Sequence, residues 1–338
     1  MKIPSNSTIL AVSLAALLCA CGGGGGDSAP LGTQVTITSA NQTTVARSTL
    51  AGGFSIGGTA INGADGRAHA QSAGRTGAVA GVHALEQALQ DALARLSVER
   101  RSIASAQAHP AAVTSSSGSC SLGGTYGFSV DDHDNSGTTT AGDSVTMVYA
   151  HCTESDGSLD GTMTLTYGSA TSGTVIAGTL AYQHLAVVNG GTTVTLNGSA
   201  SLTETDASGS TTDTFTVGAS GLTLAAAASG FSDSVTYESG TTLVEVTTDT
   251  GDQSSVRFDG TLSSTLLGGR VTVATLQPIV TTTAVYPISG QLRITGASAS
   301  KLLITVASAT QVQLQLDADG DGSYEASTLV NWTLLLPQ

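Results

Sequence analysis

From Leu122 to the carboxyl terminus, apolar and polar residues alternate with a period of two. Val145, Met147 and Tyr149 alternate with Ser144, Thr146 and Val148, and Met163, Leu165 and Tyr167 with Thr162, Thr164 and Thr166. Val194, Leu196, Ala200 and Leu202 repeat the pattern, as do Val312, Leu314 and Leu316 against Gln311, Gln313 and Gln315. A period of two places alternate side chains on opposite faces of a strand, so each strand has one buried and one wet face. Between the strands stand turn signals: Asp156-Gly157, Asn189-Gly190-Gly191, Ser208-Gly209, Ser239-Gly240, Gly251-Asp252 and Gly268-Gly269. They suit hairpins between sequential antiparallel strands. A dozen or more strands with no long helix among them must cover themselves. The pattern therefore predicts a mostly β chain over 118–338: a large antiparallel meander closed as a curled sheet, barrel or sandwich.

Upstream, the period changes. Val82, Leu85, Leu89, Leu93, Leu96 and Ile103 recur at helical intervals, with Asp91 and Arg95 one turn apart. This predicts one amphipathic helix within 79–107. Residues 21–78 are rich in Gly, Ala, Ser and Thr and read as a flexible, low-complexity tether, with strand-like alternation only over Gln34 to Ser39. Residues 1–20 read as a secretory signal peptide, with a weakly positive start and the short apolar run Ile9 to Leu18. At about ten residues, that run is too short to span a bilayer.

Leu18-Cys19-Ala20-Cys21, followed by Gly22 to Gly26, resembles the lipobox of bacterial lipoproteins. The resemblance implies cleavage before Cys21, covalent lipid on that cysteine, and attachment to membrane lipid through the acyl chains. Gly22, where an inner-membrane lipoprotein of this kind tends to carry Asp, implies the outer membrane. Several acyl chains, at about 0.8 kcal/mol per buried methylene, make a durable anchor, and the glycine run a flexible link.

Beyond the inner membrane the surroundings are oxidising. The two remaining cysteines, Cys120 and Cys152, are then expected as a disulfide rather than a metal or catalytic pair. The formal charge of the chain is -14 and unevenly spread. From Cys120 onward four basic residues face 20 acidic ones, whereas Ser28 to Ser119 holds six arginines against four acids. Such an acidic domain repels nucleic acid and anionic surfaces and attracts divalent cations or basic partners.

Two acidic loops carry the strongest chemical signal. Asp317, Asp319 and Asp321 stand at positions one, three and five of a tight turn, Gly322 at six, Ser323 at seven and Glu325 at nine. An all-oxygen set of this spacing is what a hard cation such as Ca2+ requires. It resembles the first half of an EF-hand loop, but Thr328 occupies the twelfth place instead of glutamate. The earlier loop has Asp132, Asp134 and Ser136 at one, three and five, Gly137 at six, Thr138 at seven and Asp143 at twelve, and is similar to the calcium loops of dockerins. Both resemblances imply calcium; neither extends beyond its loop.

Catalytic constellations are poorly represented. Ser298-Ala299-Ser300-Lys301 has Ser-x-x-Lys spacing without the accompanying elements of penicillin-recognising enzymes, and the six histidines show no paired spacing. The expected function is a non-enzymatic outer-membrane lipoprotein whose β domain binds an envelope macromolecule. Its alternatives are a carrier sheltering an acyl chain or other apolar ligand and, third, a polysaccharide hydrolase.

Overall fold

The computed structural model describes residues 32–50, 114–136, 140–154, 157–168, 175–189, 192–228, 231–248, 253–282 and 286–336. Cys21 and the amphipathic stretch 79–107 lie outside them. Among the described residues fifteen strands form a single antiparallel sheet in which chain neighbours are sheet neighbours everywhere but at the eighth and ninth strands. They are β1 (Thr114–Ser119), β2 (Gly123–Asp131), β3 (Ser144–Glu154), β4 (Gly157–Tyr167), β5 (Val175–Asn189), β6 (Thr192–Ala207), β7 (Ser210–Ala228), β8 (Phe231–Tyr237), β9 (Thr242–Thr248), β10 (Gln253–Ser264), β11 (Gly269–Thr282), β12 (Ser289–Thr295), β13 (Lys301–Val306), β14 (Gln311–Asp317) and β15 (Ala326–Asn331). The expected meander is thus present, and all six turn signals fall at junctions between strands. One place in the sheet is shared: β8 and β9 lie end to end between β7 and β10, each pairing with both. Strands β1 and β15 are the sheet's edges.

The alternation sorts side chains as the sequence pattern predicts. On β7, Phe215 and Val217 are buried while Thr212, Thr214 and Thr216 point outward, and β14 buries Val312, Leu314 and Leu316. Inward residues from β2 to β14 form one continuous apolar cluster. Outward threonines pair across strands, Thr146 with Thr164 and Thr223 with Thr236, at 3.0 Å each. Such cross-strand pairs supply modest stabilisation of about 0.2–1 kcal/mol each.

Residues 32–50 depart from the tether expectation. Thr33 and Val35 bond to the start of β11: the Val35 amide donates to the Arg270 carbonyl at 3.0 Å, and the Arg270 amide to the Thr33 carbonyl at 3.1 Å. Residues 42–50 are helical, and Ile37, Val45 and Leu50 belong to the same buried cluster as the inner face of the sheet. Low-complexity composition hid a short apolar spacing that packs inside the sheet. At the opposite end the short helix Trp332–Leu335 seals the core, with the Trp332 ring stacked on Tyr286 at 5.8 Å.

The long strands do not run straight. A line of β-bulges crosses the sheet at mid-height, marked by pairing shifts at Tyr149/Cys152, Asp160/Thr162, Tyr182/Leu185, Gly198/Ala200 and Val256/Gly260. Bulges bend a strand and increase its twist, so a row of them creases the sheet and lets it close over its own inner face. Three share one construction. Asp160-Gly161, Asn197-Gly198 and Asp259-Gly260 each place an Asx carboxyl or amide oxygen to accept a neighbouring strand's amide: His151 at 3.4 Å, His184 at 2.7 Å and Thr275 at 2.8 Å. His151 and His184 are left-handed (φ 51° and 49°), a region that histidine visits more often than most residues.

Candidate cation sites at the two rims

Antiparallel order places the β1–β2, β3–β4, β5–β6, β7–β8, β10–β11 and β14–β15 junctions on one rim of the sheet, here the upper. The β2–β3, β6–β7, β9–β10 and β13–β14 junctions lie on the lower rim. The two acidic loops therefore stand at opposite ends of the molecule, one joining β14 to β15 and the other β2 to β3.

The upper loop follows from the end of β14. Asp317 is the last residue of that strand and pairs in register with Lys301 at the start of β13. Its carboxylate is fully buried and accepts the Gly320 amide at 2.7 Å, the Gly322 amide at 3.0 Å and the Lys301 ammonium at 2.8 Å. The Lys301 hydrogen bond, helped by those amides, holds the Asp317 carboxyl below its ordinary range. The loop then winds through Asx turns. The Asp321 amide donates to Asp319, the Ser323 amide to Asp321 at 2.7 Å, and the Ala318 amide to Glu325 at 3.1 Å. Asp317, Asp319, Asp321 and Glu325 each bring an oxygen within 4.8 Å of the others, so the four can hold a metal ion. The role of Lys301 was not legible in sequence: its ammonium already neutralises part of this set.

In the lower loop, buried Asp143 accepts the His133 amide at 3.0 Å and the Thr140 amide at 2.7 Å, while Asp134 accepts the Thr140 hydroxyl at 2.9 Å. Hydrogen bonds from Ser136 and Thr140 keep the Asp134 carboxyl low. Asp132, Asp134 and Asp143 form the second set able to hold a metal ion. Ser136 bonds through its amide to Asp132 and Asp134, both at 3.0 Å. Thr138 lies outside the described residues. In both loops the spacing read from sequence does bring the carboxylates together.

Cys120 and Cys152 are bonded, with Cα atoms 5.4 Å apart, and tie the β1–β2 junction to β3 on the upper rim. Ser298 and Ala299 sit in a left-handed turn ahead of β13, and Lys301 faces Asp317 rather than either serine. Ser300 is structural, for its hydroxyl accepts the Ile37 amide at 3.0 Å and donates to the Ala297 carbonyl at 2.8 Å.

Sequence reading missed three inward acids. Asp233 is buried on β8 and accepts the hydroxyls of Ser48, Ser264 and Thr265 and the Leu266 amide, which joins the helix over 42–50 to the sheet. Glu204 on β6 and Asp213 on β7 are buried register partners. The signal was parity: Asp213 shares its face with Phe215 and Val217, as Asp233 does with Val235 and Tyr237. Burial, together with the nearby Asp233 charge, pushes the Tyr237 phenol up. No family model matches the chain, no curated protein matches it, and no solved structure matches it.

Proposed function

We propose that this chain is an outer-membrane-anchored lipoprotein with a non-enzymatic β domain that binds an envelope macromolecule and is stabilised by calcium at its rims. The lipobox-like Leu18-Cys19-Ala20-Cys21 carries the reading. Two features of the fold support it. The outer face of the sheet is hydroxyl-rich, with Ser201, Thr203 and Thr205 exposed on β6, which suits a body in water rather than one wrapped in lipid. Acidic clusters on both rims suit divalent cations and basic partners. The carrier reading is less well supported because the chain's own Ile37, Val45, Leu50 and Trp332 pack in the core that an apolar ligand would occupy.

Intact-mass analysis of the membrane-extracted protein tests the anchor. The expected mass is that of a chain starting at Cys21 with its acyl chains attached; an unacylated start sinks the proposal. Calcium is tested separately by melting. Millimolar Ca2+ should raise Tm and chelator lower it, because an ion bound only by the folded state stabilises it through linkage. Asp321→Asn and Asp134→Asn should each remove part of the shift, and the same Tm with and without calcium would dismiss the stabilising role.

A further inference from the structure

We infer that the upper rim of the sheet is the end that faces the lipid surface, leaving the lower rim, with Asp132, Asp134 and Asp143, as the outward end available to a partner. The inference rests on the proposed acylation of Cys21 and adds an orientation to it. Its physical basis is where the chain joins the fold and how far it can reach. Thr33 and Val35 are hydrogen-bonded to Arg270 at the top of β11, and Gly32 lies against Gly269 in the same corner. Cys21 and Thr33 are twelve positions apart. Twelve such steps can span at most ~40 Å, and for a flexible chain of this composition the expected root-mean-square reach is roughly 20 Å. The longest strands exceed that coil reach along their own length. At ~3.3 Å per residue, the 16 residues of β6 extend ~50 Å and the 19 of β7 ~60 Å along the strand.

From its attachment at the upper rim the tether covers that rim within its ordinary reach, whereas bringing the lower rim to the bilayer would need it drawn out almost fully, at the cost of its chain entropy. Exposed apolar tips stand on both rims, Leu122 and Leu266 on the upper and Ile288 and Leu334 on the lower, and of these Leu266 lies in the turn directly beside the tether's attachment. With no cation bound, Asp319, Asp321 and Glu325 on the same rim repel anionic headgroups, so a zwitterionic leaflet in the absence of calcium is the compatible test surface.

The test uses the full-length acylated protein with the Cys120–Cys152 bond intact. A fluorescent donor is placed at Leu266→Cys or Ser208→Cys, on the upper and lower rims, and energy transfer is read to acceptor-labelled lipid in phosphatidylethanolamine and phosphatidylcholine vesicles. Transfer from position 266 should exceed that from 208 by roughly twofold or more, given the ~50 Å of strand between them. Equal transfer, or more from 208, in protein whose acylation is confirmed by mass overturns the orientation and leaves the lipoprotein reading standing. If the mass shows no acyl chain and Cys21→Ser binds vesicles equally, both fall together.

Discussion

At the residue scale, the bulge line depends on a few backbone positions that tolerate no side chain. At Gly198 φ is +118°, and a Cβ there would lie 2.2 Å from the Gly221 carbonyl oxygen of the neighbouring strand; at Gly161 it would lie 2.2 Å from the His184 carbonyl. Gly198→Ala should cost about 2 kcal/mol or more, since backbone strain and steric contact act together. Gly209, in the β6–β7 turn, also has positive φ (+92°) but nothing within 4 Å. Gly209→Ala should therefore cost less, and comparing the two urea midpoints at unchanged m-value isolates the steric part. The Asp317–Lys301 pair gives a pH signature. Because folding lowers the Asp317 carboxyl pKa, the stability it contributes is fully present above the ordinary carboxyl value of about 3.9. That contribution is lost as pH falls through the folded-state value. Lys301→Met should weaken this contribution, so denaturation midpoints between pH 5 and pH 2 should fall less steeply in the variant; parallel curves would refute it.

At the scale of elements, strand identity was legible because alternation and turn dipeptides agree. The same signals did not reveal the crease. Asp160-Gly161, Asn197-Gly198 and Asp259-Gly260 are chemically indistinguishable from hairpin signals, yet each lies inside a long strand. An Asx-Gly pair supplies positive φ and a local acceptor in either setting, and only the neighbouring strand decides which use is made of it. The disulfide belongs to this scale too. It links Cys120 and Cys152, 32 residues apart in sequence, at the edge of the sheet. By chain entropy such a loop stabilises by about 3–4 kcal/mol. The Cys120→Ala/Cys152→Ala double variant should show that loss in denaturant titration, with β1 and β2 the first amides to lose hydrogen-exchange protection.

On the scale of the whole molecule, the open question for any self-covering sheet is what fills its inner face. Here part of the filling comes from the N-terminal segment: Ile37 and Val45 are fully buried, Leu50 nearly so, and Ser48 bonds to Asp233 at 2.8 Å. Leu50→Ala should cost about 2–5 kcal/mol, as buried leucine truncations do. A chain lacking residues 22–50 should bind a hydrophobic dye strongly and melt well below the intact domain. A truncated form as stable as the whole would mean that the sheet closes without this segment.

The sequence alone determined the mostly β class, the hairpin positions, the pairing of the two cysteines and the assembly of two acidic clusters. Each of these depends on residues near in sequence or, for the cysteines, on the expected loss of Cys19 and acylation of Cys21, which leaves Cys120 and Cys152 to one another. Tertiary structure alone decided that the acidic loops lie on opposite rims, that Lys301 answers Asp317, that inward acids are buried beside the core, and that residues 32–50 are interior. Those outcomes arise from contacts between distant segments, Ile37 with Ser300 or Ser48 with Asp233, and no local period records which far strand a buried residue will meet.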